Sequence, residues 1–155
     1  MPKLEKNEEL IIGSIAGSIG AVAKYAFNEL AQLLSLAKYD NNATALGVVL
    51  KTWQHTPVYW IIGFFIAIII GAFFGVIIAF MFSYIFAERF YLLKGAIIGI
   101  GIWLFNFGIM SNVFNYPPDI KTSLGDIMSM LVSLIIYGVV TVFSLKLFSF
   151  LKIKQ

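Results

Sequence analysis

The stretch from Val58 to Ala87 contains no charged residue. It is longer than the roughly 20 apolar residues that a helix needs to cross a bilayer. The chain is 60% hydrophobic and 12% charged, so a water-soluble core could not enclose its apolar surface. Gly71 and Gly75 give this stretch the small-xxx-small spacing of packed membrane helices. It therefore predicts a transmembrane helix at 58–87 and an integral membrane fold.

Three further apolar segments predict three more spans. Tyr116-Pro117-Pro118 cannot continue a helix, and Ser123-x-x-Asp126 has the pattern of a capping box at a helix start. A segment after the turn at Asn41 and Asn42 is too short to span and is predicted to lie in the interface. The prediction is an all-α integral membrane protein with four transmembrane helices, plus a short interfacial helix between helices one and two. The boundaries of this single domain, 1–155, are a tail at 1–9, spans at about 10–38, 58–87, 95–115 and 123–146, the interfacial helix at 43–54, and a tail at 147–155.

The basic residues are concentrated on one predicted side of the membrane. That side holds Lys3, Lys6, Arg89, Lys94, Lys146, Lys152 and Lys154, and the other holds Lys38, Lys51 and Lys121. Cytoplasmic segments carry the excess of Lys and Arg, so both termini are predicted to be cytoplasmic in a multi-pass protein of the cell membrane.

Lys24 is the charged residue placed deepest in a predicted span, the first one. A charge inside lipid is expensive, which makes Lys24 a candidate ion or proton site, or an anchor for an anionic group. The alternative is that its long side chain extends to the outer interface. Asp126, at a similar depth in the fourth span, could form an ion pair with Lys24 or could satisfy backbone N–H groups as part of the capping box.

Polar side chains form a stripe along the fourth span, at a spacing of four residues that continues to Thr141. Such a stripe could line a water-filled path, although Ser and Thr in membrane helices also bond to backbone carbonyls or to a neighbouring helix. Asn106, Asn112 and Trp103 form a second polar cluster, for which the stripe could supply partners. The candidate intramembrane polar site is Lys24, Asn28, Asn106, Asp126, Ser129, Ser133 and Tyr137.

Glycines at helical spacing predict close helix packing. The predicted packing positions are Gly13, Gly17, Gly20, Gly71, Gly75, Gly95 and Gly99. Four thin helices enclose little volume, so a homo-oligomer or a complex with a partner membrane protein is predicted, with contacts through Gly13, Gly17, Gly71 and Gly75.

Catalytic chemistry has no sequence signature in this chain. There is no cysteine, the single histidine, His55, has no neighbouring carboxylate cluster, and nucleophile and phosphate-loop motifs are absent. The prediction is therefore no enzyme activity, no catalytic residues, no metal and no cofactor. The net charge of +3 is located at helix ends, which indicates contact with the lipid bilayer and not with nucleic acid.

Two family resemblances follow from these segments. The first covers Gly17-Ser-Ile-Gly20-Ala-Val-Ala-Lys24-Tyr25, which resembles the G-x-x-G-A-x-x-R-Y opening of the small four-helix fluoride channels, with Lys24 in the arginine position. The second helix lacks that family's G-T-x-x-x-N segment and the third lacks its threonine- and phenylalanine-rich break, so the fluoride pathway has no counterpart.

The second resemblance covers most of the chain. Lys94-Gly95-Ala-Ile-Ile-Gly99, then Trp103, Asn115-Tyr-Pro-Pro118 and the Tyr137-Gly138 pair, are similar to the uncharacterised small bacterial membrane proteins of the YqhR type. This resemblance implies the four-helix fold and no particular activity. Two functions stay open: an oligomeric component that transports or senses an ion or small solute, and a non-transporting scaffold of a larger membrane complex.

Overall fold

The computed structural model describes residues 6–39, 41–50, 56–86, 89–114, 116–117 and 120–153. These residues form helices and no strand. The helices are α1 (Lys6–Leu33), α2 (Asn41–Val49), α3 (Pro57–Tyr84), α4 (Tyr91–Phe105), a π-helical segment (Asn106–Met110), α5 (Ser111–Val113) and α6 (Leu124–Ile153). Four stretches are long and apolar enough to cross a membrane: Asn7–Leu33, Pro57–Tyr84, Tyr91–Val113 and Leu124–Phe148. The predicted all-α membrane fold with a short helix between the first two spans is confirmed.

The first span is displaced towards the N-terminus relative to the predicted 10–38. Glu8 and Glu9 lie in the first turn of α1, where carboxylates favour the positive end of the helix dipole. At the other end Ser35 adopts a left-handed conformation, with φ of 56°. Its N–H donates to Gln32 O and the Leu36 N–H donates to Ala31 O, which is the Schellman arrangement that ends a helix.

The second span begins at Pro57, immediately after Thr56. The Thr56 hydroxyl accepts a hydrogen bond from Tyr59 N at 3.5 Å, and proline at the first helical position loses no intrahelical bond. The predicted start at Val58 is one residue later, because the apolar run itself begins there.

The third span is not one regular helix. It begins at Tyr91, four residues before the predicted start, and changes to π-helical geometry at Asn106. The Ser111 N–H bonds to Asn106 O, five residues back. The Ser111 hydroxyl donates to Phe107 O, and Asn112 Nδ2 donates to Gly108 O at 2.7 Å. These two side chains therefore satisfy carbonyls in and beside the widened turn.

The spans are arranged as two pairs joined in the middle. α1 packs against α6, α3 packs on α1, and α4 packs on α6, while α3 and α4 share no comparable interface. α2 packs on α3. The gap between α3 and α4 positions the cavity described below.

Glycines allow the closest of these contacts. A Cβ atom at Gly17 would lie 2.7 Å from the Gly75 Cα, and one at Gly13 would lie 2.8 Å from the Val76 Cα. A Cβ atom at Gly20 would lie 3.0 Å from Tyr137 O of α6. Gly13, Gly17, Gly71 and Gly75 are thus used inside one chain, and the prediction that they form the oligomer contacts is wrong for these surfaces.

Glycines also allow close backbone contact between α4 and α6. A Cβ atom at Gly95 would lie 2.7 Å from Gly138 O, and one at Gly138 would lie 3.1 Å from Gly99 N. Gly138 is a packing glycine that spacing alone did not indicate, because its partner glycines lie on another helix.

Several predicted features lie outside the described residues. They include residues 1–5 of the first tail, the end of the predicted interfacial helix at 51–54, His55, Ala87, Asn115, Pro118, and residues 154–155 of the second tail.

Candidate functional site

A cavity of about 530 Å³ lies in the gap between α3 and α4. Its volume is within the range of small-molecule sites in proteins, and most of its lining is apolar, as in such sites. α1 and α6 form its back, and α2 and the segment after α5 form its outer end. The lining residues are Lys24, Thr44, Ala45, Val48, Ala67, Ile69, Ile70, Gly71, Phe73, Phe74, Ile102, Phe105, Asn106, Met110, Phe114, Tyr116, Leu134 and Tyr137.

Lys24 brings the only cationic side chain to this lining. It is half-buried and lies about 14 Å along α1 from Leu33, at 1.5 Å per residue. No carboxylate in the described part of the chain acts on its ammonium group. The cavity thus contains a positive charge that no carboxylate of the described residues neutralises.

Asn106 and Tyr116 form a polar part of the cavity wall. The Tyr116 hydroxyl donates a hydrogen bond to Asn106 Oδ1. Burial raises the pKa of Tyr116 to about 12, so the phenol stays neutral near pH 7. Since Oδ1 accepts this bond, the Nδ2 group of Asn106 has two N–H donors that bond to no acceptor in the described residues.

Tyr137 joins α6 to α3 at the back of the cavity. Its hydroxyl donates to Gly71 O at 2.6 Å and is buried. This bond satisfies a carbonyl oxygen of α3 and uses the hydroxyl proton, so Tyr137 shapes the cavity and has no proton left to donate to a ligand.

Three predicted site residues of α1 and α6 bond to each other, to Met130 or to backbone. Ser129 Oγ donates to Asn28 Oδ1 at 3.4 Å, and Asn28 Nδ2 donates to Met130 Sδ at 3.5 Å. Ser133 Oγ donates to Met130 O at 2.9 Å. Asn28, Ser129 and Ser133 are buried away from the cavity lining, and the bonds of Asn28 to Ser129 and Met130 hold α1 against α6.

Asp126 does not form the ion pair with Lys24. Its Oδ1 accepts from Lys38 N at 2.8 Å and from Tyr39 N at 2.9 Å, while Oδ2 has no hydrogen-bond partner among the described residues. The Asp126 N–H donates to Ser123 Oγ at 3.3 Å, which is one half of the capping box. The carboxylate thus fixes the segment after α1 onto the start of α6.

The predicted cluster of Asn106, Asn112 and Trp103 does not bond to the α6 stripe. Lys121 Nζ donates to Asn112 Oδ1 at 2.5 Å, and Trp103 Nε1 is buried with no acceptor in the described ranges. Asn112 instead bonds to Gly108 O in the π segment, and Asn106 accepts from Tyr116 in the following segment.

Sequence reasoning missed two features of the site and one buried carboxylate. Tyr116 belongs to the Tyr116-Pro117-Pro118 segment, which the sequence indicates only as a helix break. The π segment has no sequence signal beyond Asn106 and Gly108 in an apolar run. Glu9, at the end of the predicted tail 1–9, is fully buried, and its carboxylate has no hydrogen-bond partner in the part of the chain that the structure describes. Its spacing of four from Gly13 was the available signal, since it puts Glu9 on the packed face of α1.

Comparisons with known proteins returned no match to a protein-family model, to a curated protein or to a solved structure. The resemblance to the YqhR type accordingly stays a prediction.

Proposed function

We propose that this protein binds a small, largely apolar solute within the membrane, as a component of the transport or sensing of that solute. The observation that carries the proposal is the cavity between α3 and α4, into which α1 brings Lys24. Concave, mostly apolar sites with a few polar groups are the usual form of small-molecule sites.

The lining favours a solute with an apolar part over a hydrated inorganic ion. Ion pathways present rings of carbonyls or charged side chains along the route. Here the polar groups of the lining are limited to Lys24, Thr44, Asn106, Tyr116 and Tyr137. Phenylalanine and aliphatic side chains line most of the rest, and these cannot replace the hydration shell of an ion.

The scaffold function receives less support from the packing. It depends on glycine surfaces that are free to dock a partner, and Gly13, Gly17, Gly71 and Gly75 are in contact within the chain. A homo-oligomer or a partner membrane protein remains part of the proposal, with contacts on surfaces other than these.

Photolabelling tests the proposal. Three probes share one C18 chain with a mid-chain diazirine and differ in the head group, which is an alcohol, a carboxylate or a phosphate monoester. The purified protein is labelled in phosphatidylcholine vesicles, and adducts are located by mass spectrometry. We expect saturable labelling of cavity residues such as Met110 and Phe105 by at least one probe. Absence of cavity adducts with all three would contradict the proposal.

Two matched substitutions of alanine by phenylalanine control for labelling from bulk lipid. Ala67→Phe places a ring in the cavity, whereas Ala26→Phe adds the same ring to the exposed face of α1. We expect labelling to fall about tenfold or more in Ala67→Phe and to be retained in Ala26→Phe. Val48→Trp, on the α2 wall, repeats the test if Ala67→Phe does not fold. Equal labelling of filled and control variants would overturn the assignment to this cavity.

A further inference from the structure

We propose that the solute is an anionic single-chain amphiphile, whose carboxylate or phosphate head pairs with Lys24 and whose chain lies between α3 and α4. This inference rests on the proposed function and names the chemical class of its solute.

The charge of Lys24 is not matched by a carboxylate among the described residues. A cation inside a membrane span is costly unless an opposite charge or a strong acceptor meets it. No carboxylate of the described residues acts on Lys24, and Asp126 bonds to backbone N–H groups elsewhere. An anion in the cavity would supply the missing charge.

Asn106 provides a second group suited to an anion. Its Oδ1 accepts from the Tyr116 hydroxyl, and the two N–H donors of its Nδ2 group bond to no acceptor in the described residues. Lys24 and Asn106 both line the cavity. Together they offer a charge and a neutral donor, which is the combination that binds carboxylate or phosphate oxygens through charge-assisted hydrogen bonds.

The side of the cavity towards lipid is apolar. Ile69 and Phe73 of α3 are 67% and 64% exposed, and Phe105 of α4 is 42% exposed. These residues lie on helices of membrane-spanning length, so their exposed surface would contact lipid chains. An acyl chain can therefore enter sideways from the bilayer between α3 and α4 while its head group pairs with Lys24.

Other solutes fit these features less well. A neutral lipid would leave Lys24 unmatched, and a cationic amphiphile would be repelled by it. A small inorganic anion would satisfy Lys24 but leave the apolar walls without a partner. An anion with one apolar chain satisfies both parts of the site.

The three photolabelling probes separate this inference from the proposed function. We expect the carboxylate or the phosphate probe to label the cavity about tenfold or more above the alcohol, as the loss of a charged hydrogen bond implies. Whichever anionic head labels better identifies the source, a fatty acid or a phosphate-headed lipid. Equal cavity labelling by all three would overturn the inference and leave the proposed function standing. No cavity labelling would overturn both.

Substitutions of Lys24 complete the test. Lys24→Met should abolish the preference for anionic heads while labelling by the alcohol continues, because the cavity itself is unchanged. Lys24→Arg keeps the charge and should keep the preference. Lys38→Met removes an exposed lysine outside the cavity lining and should have no effect. A preference that survives in Lys24→Met, or that disappears equally in Lys38→Met, would overturn the role of Lys24.

Discussion

Asp126 is a buried carboxylate that accepts hydrogen bonds from backbone N–H groups and does not pair with Lys24. Its Oδ1 receives two N–H groups from the segment that follows α1, and the residue is fully buried. Next to it, a Cβ atom at Gly125 would collide with Leu36 O, so the two segments meet with no space between them. The chain cannot replace these bonds with water at this point, because the position is closed to solvent.

Substitution of Asp126 tests this role. Asp126→Asn keeps an oxygen acceptor without the charge and should lower the free energy of unfolding by about 1 kcal/mol. Asp126→Ala leaves two buried N–H groups without an acceptor and should cost about 2 to 3 kcal/mol. Equilibrium unfolding in mixed micelles, followed by circular dichroism, measures both. Equal losses in the two variants would show that the oxygen is not the important feature.

At the level of whole helices, glycine spacing determines which surfaces can meet. A Cβ atom at Gly75 would lie 2.5 Å from the Gly17 Cα, whereas a Cβ atom at Gly101 meets nothing within 4 Å. The two residues have the same intrinsic helix propensity, since both are glycines within a helix, and they differ in whether another helix lies against them. They therefore form a matched pair for measuring the contact between α1 and α3.

Gly75→Ala and Gly101→Ala should change stability in opposite directions. Gly75→Ala forces α1 and α3 apart and should destabilise the fold by about 1 to 3 kcal/mol. Gly101→Ala removes a flexible residue from a helix and should stabilise it by up to about 1 kcal/mol. The same unfolding measurement compares them. A neutral Gly75→Ala would contradict the close contact.

The spans were predictable because each depends on a local run of apolar residues, such as 58–87. The helix ends were less predictable, since the end of α1 depends on Ser35 adopting a left-handed conformation that glycine normally takes. The π segment depends on hydrogen bonds from Ser111 and Asn112 to carbonyls of the preceding turn. Those bonds compete with the backbone hydrogen bonds of a regular α-helix. The spacing of apolar residues does not indicate which set of bonds forms.

For the whole molecule, the pairing of helices decides the site. Lys24 and Asn106 were recognisable as polar residues in apolar spans, but their common cavity results from α3 and α4 packing on opposite sides of the α1 and α6 pair. Sequence spacing orders residues within one helix and contains no information on which helices become neighbours. Tyr116 entered the site for the same reason, through the position of its segment.

The predicted orientation can be tested without background labelling because the chain has no cysteine. Single cysteines at Lys121 and Arg89 lie on opposite predicted sides of the membrane. A membrane-impermeant maleimide added to intact cells should label Lys121→Cys and spare Arg89→Cys, since the excess of basic residues is retained in the cytoplasm. Both should react after permeabilisation. The reverse pattern would place the termini outside.

The π turn after Phe105 also has an evolutionary meaning. It holds one residue more than a regular α-helix would need for the same rise, so its two geometries differ by a single-codon insertion or deletion. Loss of one residue between Asn106 and Ser111 would let this turn close to regular α-helical geometry, with the parts of the span on either side nearly in their present orientation. The widened turn beside the cavity would then be lost in one genetic event, while the hydropathy of the span would barely change.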